Sequence, residues 1–245
     1  MSKLDQLRAQ TNAALEKTTI DMSNPSKGGS DTLLPEGYSV ARLVEYIEFG
    51  MHKKEFNGQV KAPALEFQLG FALFGEGYVN GDKPRMIRTY RTGLSNHEKS
   101  VAYNMFKLMN YNKTARHFAQ LIGKPILVKI VHQQPKAGGK PYAKIDPMGF
   151  LPPIDPVTRK EYPCPEASDD MYRLFLWNSP TKEGWDALYI DGIDDNGKSK
   201  NYLQEYCLKA VDFKGSPLYN LLYGNSSLVK ESLVEIDEED LEEGI

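Results

Sequence analysis

Three segments far apart in the chain combine cations with aromatic rings. Lys53, Lys54, Phe56 and Lys61 lie within residues 51–61 (MHKKEFNGQVK). Arg85, Arg88, Tyr90 and Arg91 lie within residues 85–91 (RMIRTYR). Lys136, Lys140, Tyr142 and Lys144 surround the flexible pair Gly138-Gly139. A single nucleic-acid strand is held by positive charge along its phosphates and by rings that stack on its bases, and these segments carry both chemistries. Taken singly, a loop lysine is more often just solvated, and Tyr90 reads equally well as a core residue. The weight lies in the coincidence of three such segments at positions one fold would gather.

Other constellations are weaker. The stretch GIDDNGKS, from Gly192 to Ser199, fits the phosphate-cradling pattern GxxxxGK[ST]. Asp194 and Asp195 would then face a polyphosphate across a loop that works by presenting N–H donors. Only 46 residues follow Ser199, too few for the parallel strands of a nucleotide-hydrolysing core. An ordinary turn is the preferred reading, and a nucleotide-binding enzyme is kept as an alternative. His52, His97, His117 and His132 are scattered without metal-ligand spacing, and Asp169-Asp170 reads as a solvated pair, so no metal is expected. No GxSxG elbow is present. The expectation is a non-catalytic protein without catalytic residues or cofactor.

The elements that would position the basic and aromatic residues follow from periodicity. Residues 38–50 (YSVARLVEYIEFG) read as a long first strand, and residues 64–74 alternate Leu65, Phe67, Leu69, Phe71 and Leu73 with smaller or polar residues as a second. Residues 85–92 form a third. Ser95 and Glu98 fit a capping box that opens a helix carrying Val101, Met105, Leu108 and Met109. Thr114 would cap a second short helix ended by Gly123 and Pro125. Residues 126–132 (ILVKIVH) are a fourth strand, and Tyr142–Ile145 begins a fifth. Strand, strand, strand, helix, strand, strand is the order of a five-stranded OB-like Greek-key barrel, a mainly β fold with a helix inserted between strands three and four. In such a barrel, strands two and three and the loops after strands one and four line the binding groove. Strict alternation puts Arg88 and Tyr90 on one face of strand three and Arg85 and Arg91 on the other. Arg88 and Tyr90 would enter the groove, and the other two would reach phosphates from the strand ends. Phe56, Tyr90 and Tyr142 would stack on bases.

The chain has 245 residues, 40% of them hydrophobic, enough for a sizeable core. No window approaches the ~18 consecutive apolar residues of a membrane span. Residues 1–11 lack the apolar run of a secretory signal, and Cys164 and Cys207 cannot build a disulfide framework, so a cytoplasmic protein with reduced thiols is expected, in the host cytoplasm if viral. The formal net charge is −3, but residues 231–245 hold eight acidic residues and no Lys or Arg. Removing those eight leaves 25 acidic against 30 basic residues, so the body carries about +5. The expected divisions are residues 1–35, a weakly helical arm and linker; residues 36–224, the barrel with a C-terminal elaboration from 147; and residues 225–245, a disordered acidic tail. Six prolines between Pro147 and Pro165 mark the start of the elaboration as an extended excursion. Glu235, Asp237, Glu238, Glu239, Asp240, Glu242, Glu243 and Ile245 would form a partner-binding arm or shield the groove. A third reading is a virus-assembly protein with the aromatic-rich surface of residues 147–223 as its interface.

Several stretches resemble bacteriophage single-stranded-DNA-binding proteins of the helix-destabilising type: ARLVEYIEFGMHKKEFNG, LEFQLGFALFG, LSNHEKS, FAQLIGKPILVKIVH and LKAVDFKGSPLYNLL, within residues 36–224. The resemblance implies an OB barrel, non-specific binding of single-stranded DNA rather than RNA, a role in phage DNA replication and recombination, and a tail that contacts replication or transcription proteins. One departure is the tail's end. Bacterial-type tails finish on an aromatic residue, and this one finishes Glu242-Glu243-Gly244-Ile245.

Overall fold

Large apolar side chains at alternate positions set the centre of the sheet. The computed structural model describes residues 33–224, apart from 57, 82, 137, 195 and 196. The chain divides into Met1–Leu33 and Leu34–Ile245, and the strands and helices of the described residues belong to the second unit. The expected N-terminal arm up to residue 32 and the acidic tail, residues 225–245, lie outside the described residues.

The central pair is antiparallel: β1 (Gly37–His52) against β4 (Ala64–Phe74). Phe67, Leu69, Phe71 and Leu73 turn one face of β4 inward, fully buried with Leu43, Tyr46, Val128, Ile130 and Phe150. On the far side of β4 lies β6 (Lys83–Arg88), then β5 (Val79–Asn80). On the far side of β1 lies β8 (Pro125–Gln133), then β9 (Tyr142–Leu151). The sheet order is β5-β6-β4-β1-β8-β9, with every neighbour antiparallel. It curls into a half-barrel whose ends meet beyond β6, where the Tyr90 hydroxyl donates to that of Tyr142 at 2.7 Å. The loop after β1 carries a small separate hairpin, β2 (Glu55–Phe56) with β3 (Gln59–Val60). The protein is thus mainly β with a few short helices, and among the described residues no helix is long and apolar enough to cross a membrane.

The third strand differs from the expected 85–92. It ends at Arg88 and resumes as β7 (Thr92–Gly93). Between the pairs Gly70↔Arg88 and Phe67↔Thr92, β4 has two residues, Gln68 and Leu69, while the other strand has three, Thr89, Tyr90 and Arg91. The extra residue is a bulge, which interrupts the ladder and re-aims side chains. Buried Thr89 stabilises it: its N–H donates to Leu69 O at 2.9 Å, and its hydroxyl accepts from Leu69 N–H at 3.0 Å. Strict alternation therefore does not extend from Arg88 to Tyr90 and Arg91.

The helices also shift. The first, α1 (Val101–Met109), starts five residues later than a Ser95 cap requires, because Ser100 accepts from Tyr103 N–H at 3.0 Å. Ser95 and Glu98 belong to the preceding turn, where the Ser95 hydroxyl accepts from His97 N–H. The expected helix after Thr114 is one 3-10 turn, Phe118–Leu121, capped by the His117 and Gln120 side chains. The fifth strand continues past Pro147 to Leu151, with the four residues 146–149 opposite Lys129 alone.

The C-terminal elaboration packs on β1. Short β10 (Arg173–Phe175) pairs parallel with residues 45–47 of β1, just past the stretch that pairs with β8. Helices α2 (Lys182–Asp186) and α3 (Tyr202–Cys207) bring Trp185, Leu203 and Cys207 onto Ile47, Phe49, Phe175 and Trp177. The contact is close at Gly50, where φ is 85° and an added Cβ would lie 2.5 Å from the Trp177 ring, so only glycine fits. A third cluster covers the outer face of the half-barrel, where Ala167 joins Val44, Ala72 and Phe74.

Candidate nucleic-acid interface

The bulge brings the three basic and aromatic segments together. Tyr90 is 54% exposed. Across the gap between the sheet ends it meets Tyr142, and the Lys144 ammonium lies 6.0 Å from the Tyr90 ring centroid. Lys144 is further held by the Gln133 side chain at the end of β8. On the other side, Lys54 donates to Arg91 O at 3.2 Å and pairs with Glu66 at 2.9 Å. The loop after β1 thus meets Arg91, and the start of β9, where the loop from β8 ends, meets Tyr90. Burial and then the bond to Tyr142 push the Tyr90 pKa up to about 12, so near neutral pH it is an uncharged donor.

The remaining expected residues are more peripheral. Lys53, Lys61, Lys136 and Lys140 are exposed on the two flanking loops, and Lys61 N–H closes the neck of its loop on Lys54 O at 2.8 Å. Phe56 falls on β2, and its side chain lies outside what is described. Arg85 is half-buried and sits opposite Leu73, on the inward face of β6.

Arg88 is held elsewhere. It grips the fully buried Glu45 carboxylate with two hydrogen bonds, 2.5 Å from Nε and 2.8 Å from Nη2. Arg173 reaches the same carboxylate at 2.6 Å. Burial disfavours the Arg88 charge, and its bonds to Glu45 outweigh that penalty, so its pKa is raised. An added Cβ on Gly70 would lie 2.2 Å from Glu45, so the bare β4 backbone makes room for the carboxylate. Only Nη1 of Arg88 points onward, to the Tyr202 hydroxyl at 2.8 Å. Arg88 therefore ties β6 to β1 and the elaboration.

Helix α3 is the part of the site that the basic-aromatic pattern misses. Tyr202 meets Arg88, and one turn later Tyr206 meets Arg91, whose guanidinium carbon lies 3.7 Å from the ring centroid. The signal in the sequence is the i, i+4 spacing of the two tyrosines, which shows a shared helix face but not what it covers. Tyr206 also stacks on His52, with centroids 4.0 Å apart and planes 7° apart, and donates to the buried Glu66 at 3.0 Å. Burial and then Glu66 push its pKa up to about 12, against the opposing charge of Arg91.

The segment that fits the phosphate-loop pattern forms a tight turn. Asp194 N–H donates to Lys198 O at 2.8 Å, Gly197 N–H to Asp194 O at 2.9 Å, and Lys198 N–H to the Asp194 carboxylate at 2.8 Å. These donors, which a phosphate cradle would present, are used inside the turn. Asp195 lies outside the described residues. No family model matches the chain, and no curated protein matches it.

Proposed function

We propose that this protein binds single-stranded DNA without catalysing a reaction, through an OB-type barrel. With the two-residue strands taken as loop ornaments, β1, β4 and β6 form a meander, β8 returns beside β1, and β9 lies beside β8. Helix α1 falls in the connection from β6 to β8. That order agrees with the Greek-key barrel, and closure would fall between β6 and β9. The observation that carries the reading is the meeting of Tyr90, Arg91, Lys54, Tyr142 and Lys144 between the two flanking loops. Together they offer rings and cations in one exposed place, the two elements of sequence-tolerant strand binding. The proposed setting is phage DNA replication and recombination in a host cytoplasm, with residues 235–245 recruiting replication or transcription proteins or shielding the groove.

Fluorescence anisotropy with labelled oligo-dT and a matched duplex, at low and moderate salt, tests this. Expected is tight, salt-sensitive binding to oligo-dT and weak binding to the duplex, with affinity for the single strand falling about as the 0.7 power of salt for each phosphate contacted. Equal affinity for both, or binding insensitive to salt, overturns the reading. The same assay on a chain lacking residues 231–245 separates the tail's two roles: tighter binding means shielding, and unchanged affinity means an arm for partners.

A further inference from the structure

Arg91 sits on a column of rings. His52 lies parallel to Tyr206 at 4.0 Å and is buried, so it covers one face of the tyrosine. The Arg91 guanidinium carbon lies 3.7 Å from the same ring centroid. Two groups that close to one centroid cannot share a face, so Arg91 covers the other. At that separation the guanidinium must lie nearly flat, because a tilted one would drive a nitrogen into the ring. The column is fixed at its base. Tyr206 is anchored through Glu66, the His52 ring is within 3.1 Å of Phe49 O, and Lys54 holds the Arg91 carbonyl. Arg91 itself is exposed, and it follows Tyr90 in the bulge.

We propose that the outer face of the Arg91 guanidinium is a stacking platform for a base of the bound single strand. This rests on the single-strand-binding reading above and gives Arg91 a different role from the phosphate contact that its position on a strand suggests. Guanidinium is planar, weakly hydrated on its faces and able to stack, and unstacked bases lie on arginine planes as well as on aromatic rings. Its contact with Tyr206 fixes the plane before a strand arrives, so little side-chain freedom remains to be lost on binding. Lysine would keep the charge at this position and lose the plane.

The test compares wild type, Arg91→Lys and Arg91→Ala on oligo-dT and on an abasic strand of equal length, across a salt series. Thermal melts of each variant check that it is folded. Expected for Arg91→Lys is about a tenfold loss on oligo-dT, with an unchanged salt slope and no loss on the abasic strand. Arg91→Ala, which loses the charge as well as the plane, should lose at least as much on oligo-dT and also show a shallower slope. Wild-type affinity of Arg91→Lys for oligo-dT overturns the platform, as does an equal loss on both strands, and either result leaves single-strand binding standing. Failure of wild type to bind oligo-dT overturns both.

Discussion

Glu45 is a carboxylate with no access to water, bracketed by Arg88 and Arg173, whose side chains keep 24% and 27% exposure. Such a triad adds little net stability as a whole, because all three charges lose hydration, but removing one member leaves the others uncompensated. Glu45→Gln should therefore cost about 3 kcal/mol or more, read as a lower urea midpoint with an unchanged m-value. It should also free Arg88, so an undiminished or even stronger affinity for DNA is expected at temperatures where the variant stays folded. Neither the triad nor the capture of Arg88 is legible in the sequence. Within YSVARLVEYIEFG, strict alternation groups Glu45 with Leu43 and Ile47, and nothing in the sequence shows that β1 shifts register between Leu43 and Glu45 or that Arg88 and Arg173 converge on this carboxylate. By contrast, the juxtaposition of Tyr90 with Tyr142 and Lys144 is legible, because the order of strands already puts β6 and β9 at the two ends of one curled sheet.

The bulge after β6 decides what the interface can present. Tyr90 and Arg91 lead in different directions, one to the seam with β9 and the other to α3, because the ladder skips a residue beside them. The Thr89 hydroxyl takes the place of a backbone acceptor for Leu69 N–H. Thr89→Val keeps the shape and removes that acceptor. It should cost about 1–3 kcal/mol, seen in urea denaturation, with faster hydrogen exchange at the Leu69 amide. Wild-type exchange at Leu69 would mean the bulge is held by backbone alone. Threonine is an ordinary strand former, so nothing in RMIRTYRT signals a bulge until the pairing partner is known. The helix start illustrates the same limit. The sequence points to Ser95 as the cap, but the turn closed by Ser100 N–H on His97 O comes first and leaves the capping to Ser100. Strand β8 is clear in the sequence because burial on one side leaves a period-two trace, and β4 because large inward residues alternate with small or polar ones although both its faces are covered. The one-turn segment at Phe118 is not, since three to four residues carry no period.

At the scale of the whole molecule, β1 links three apolar clusters. Leu43 and Tyr46 enter the half-barrel, Val44 lies under the outer cover, and Ile47 and Phe49 lie beneath α2 and α3. The end of the proline-rich stretch reaches the outer cover, where Cys164 packs against the cluster of Val44 and Phe74. What composition could not convey is how firmly the chain returns. Asp212 accepts from Met51 N–H at 2.8 Å and from the Trp177 indole at 2.9 Å, and Val211 N–H donates to Met51 O. The parallel pairing of β10 with residues 45–47 has a practical consequence for anyone seeking a minimal domain. A chain stopped after Leu151 would keep all five long strands, yet it would bare half of β1 as a sheet edge, beside uncovered Ile47 and Phe49. Open apolar edges recruit other chains. Such a fragment should self-associate, with sedimentation giving a broad, concentration-dependent distribution where the full chain stays discrete. A sharp monomer peak from the fragment would mean that the five strands protect their own edge. The last third of the described chain thus acts as a built-in safeguard against aggregation.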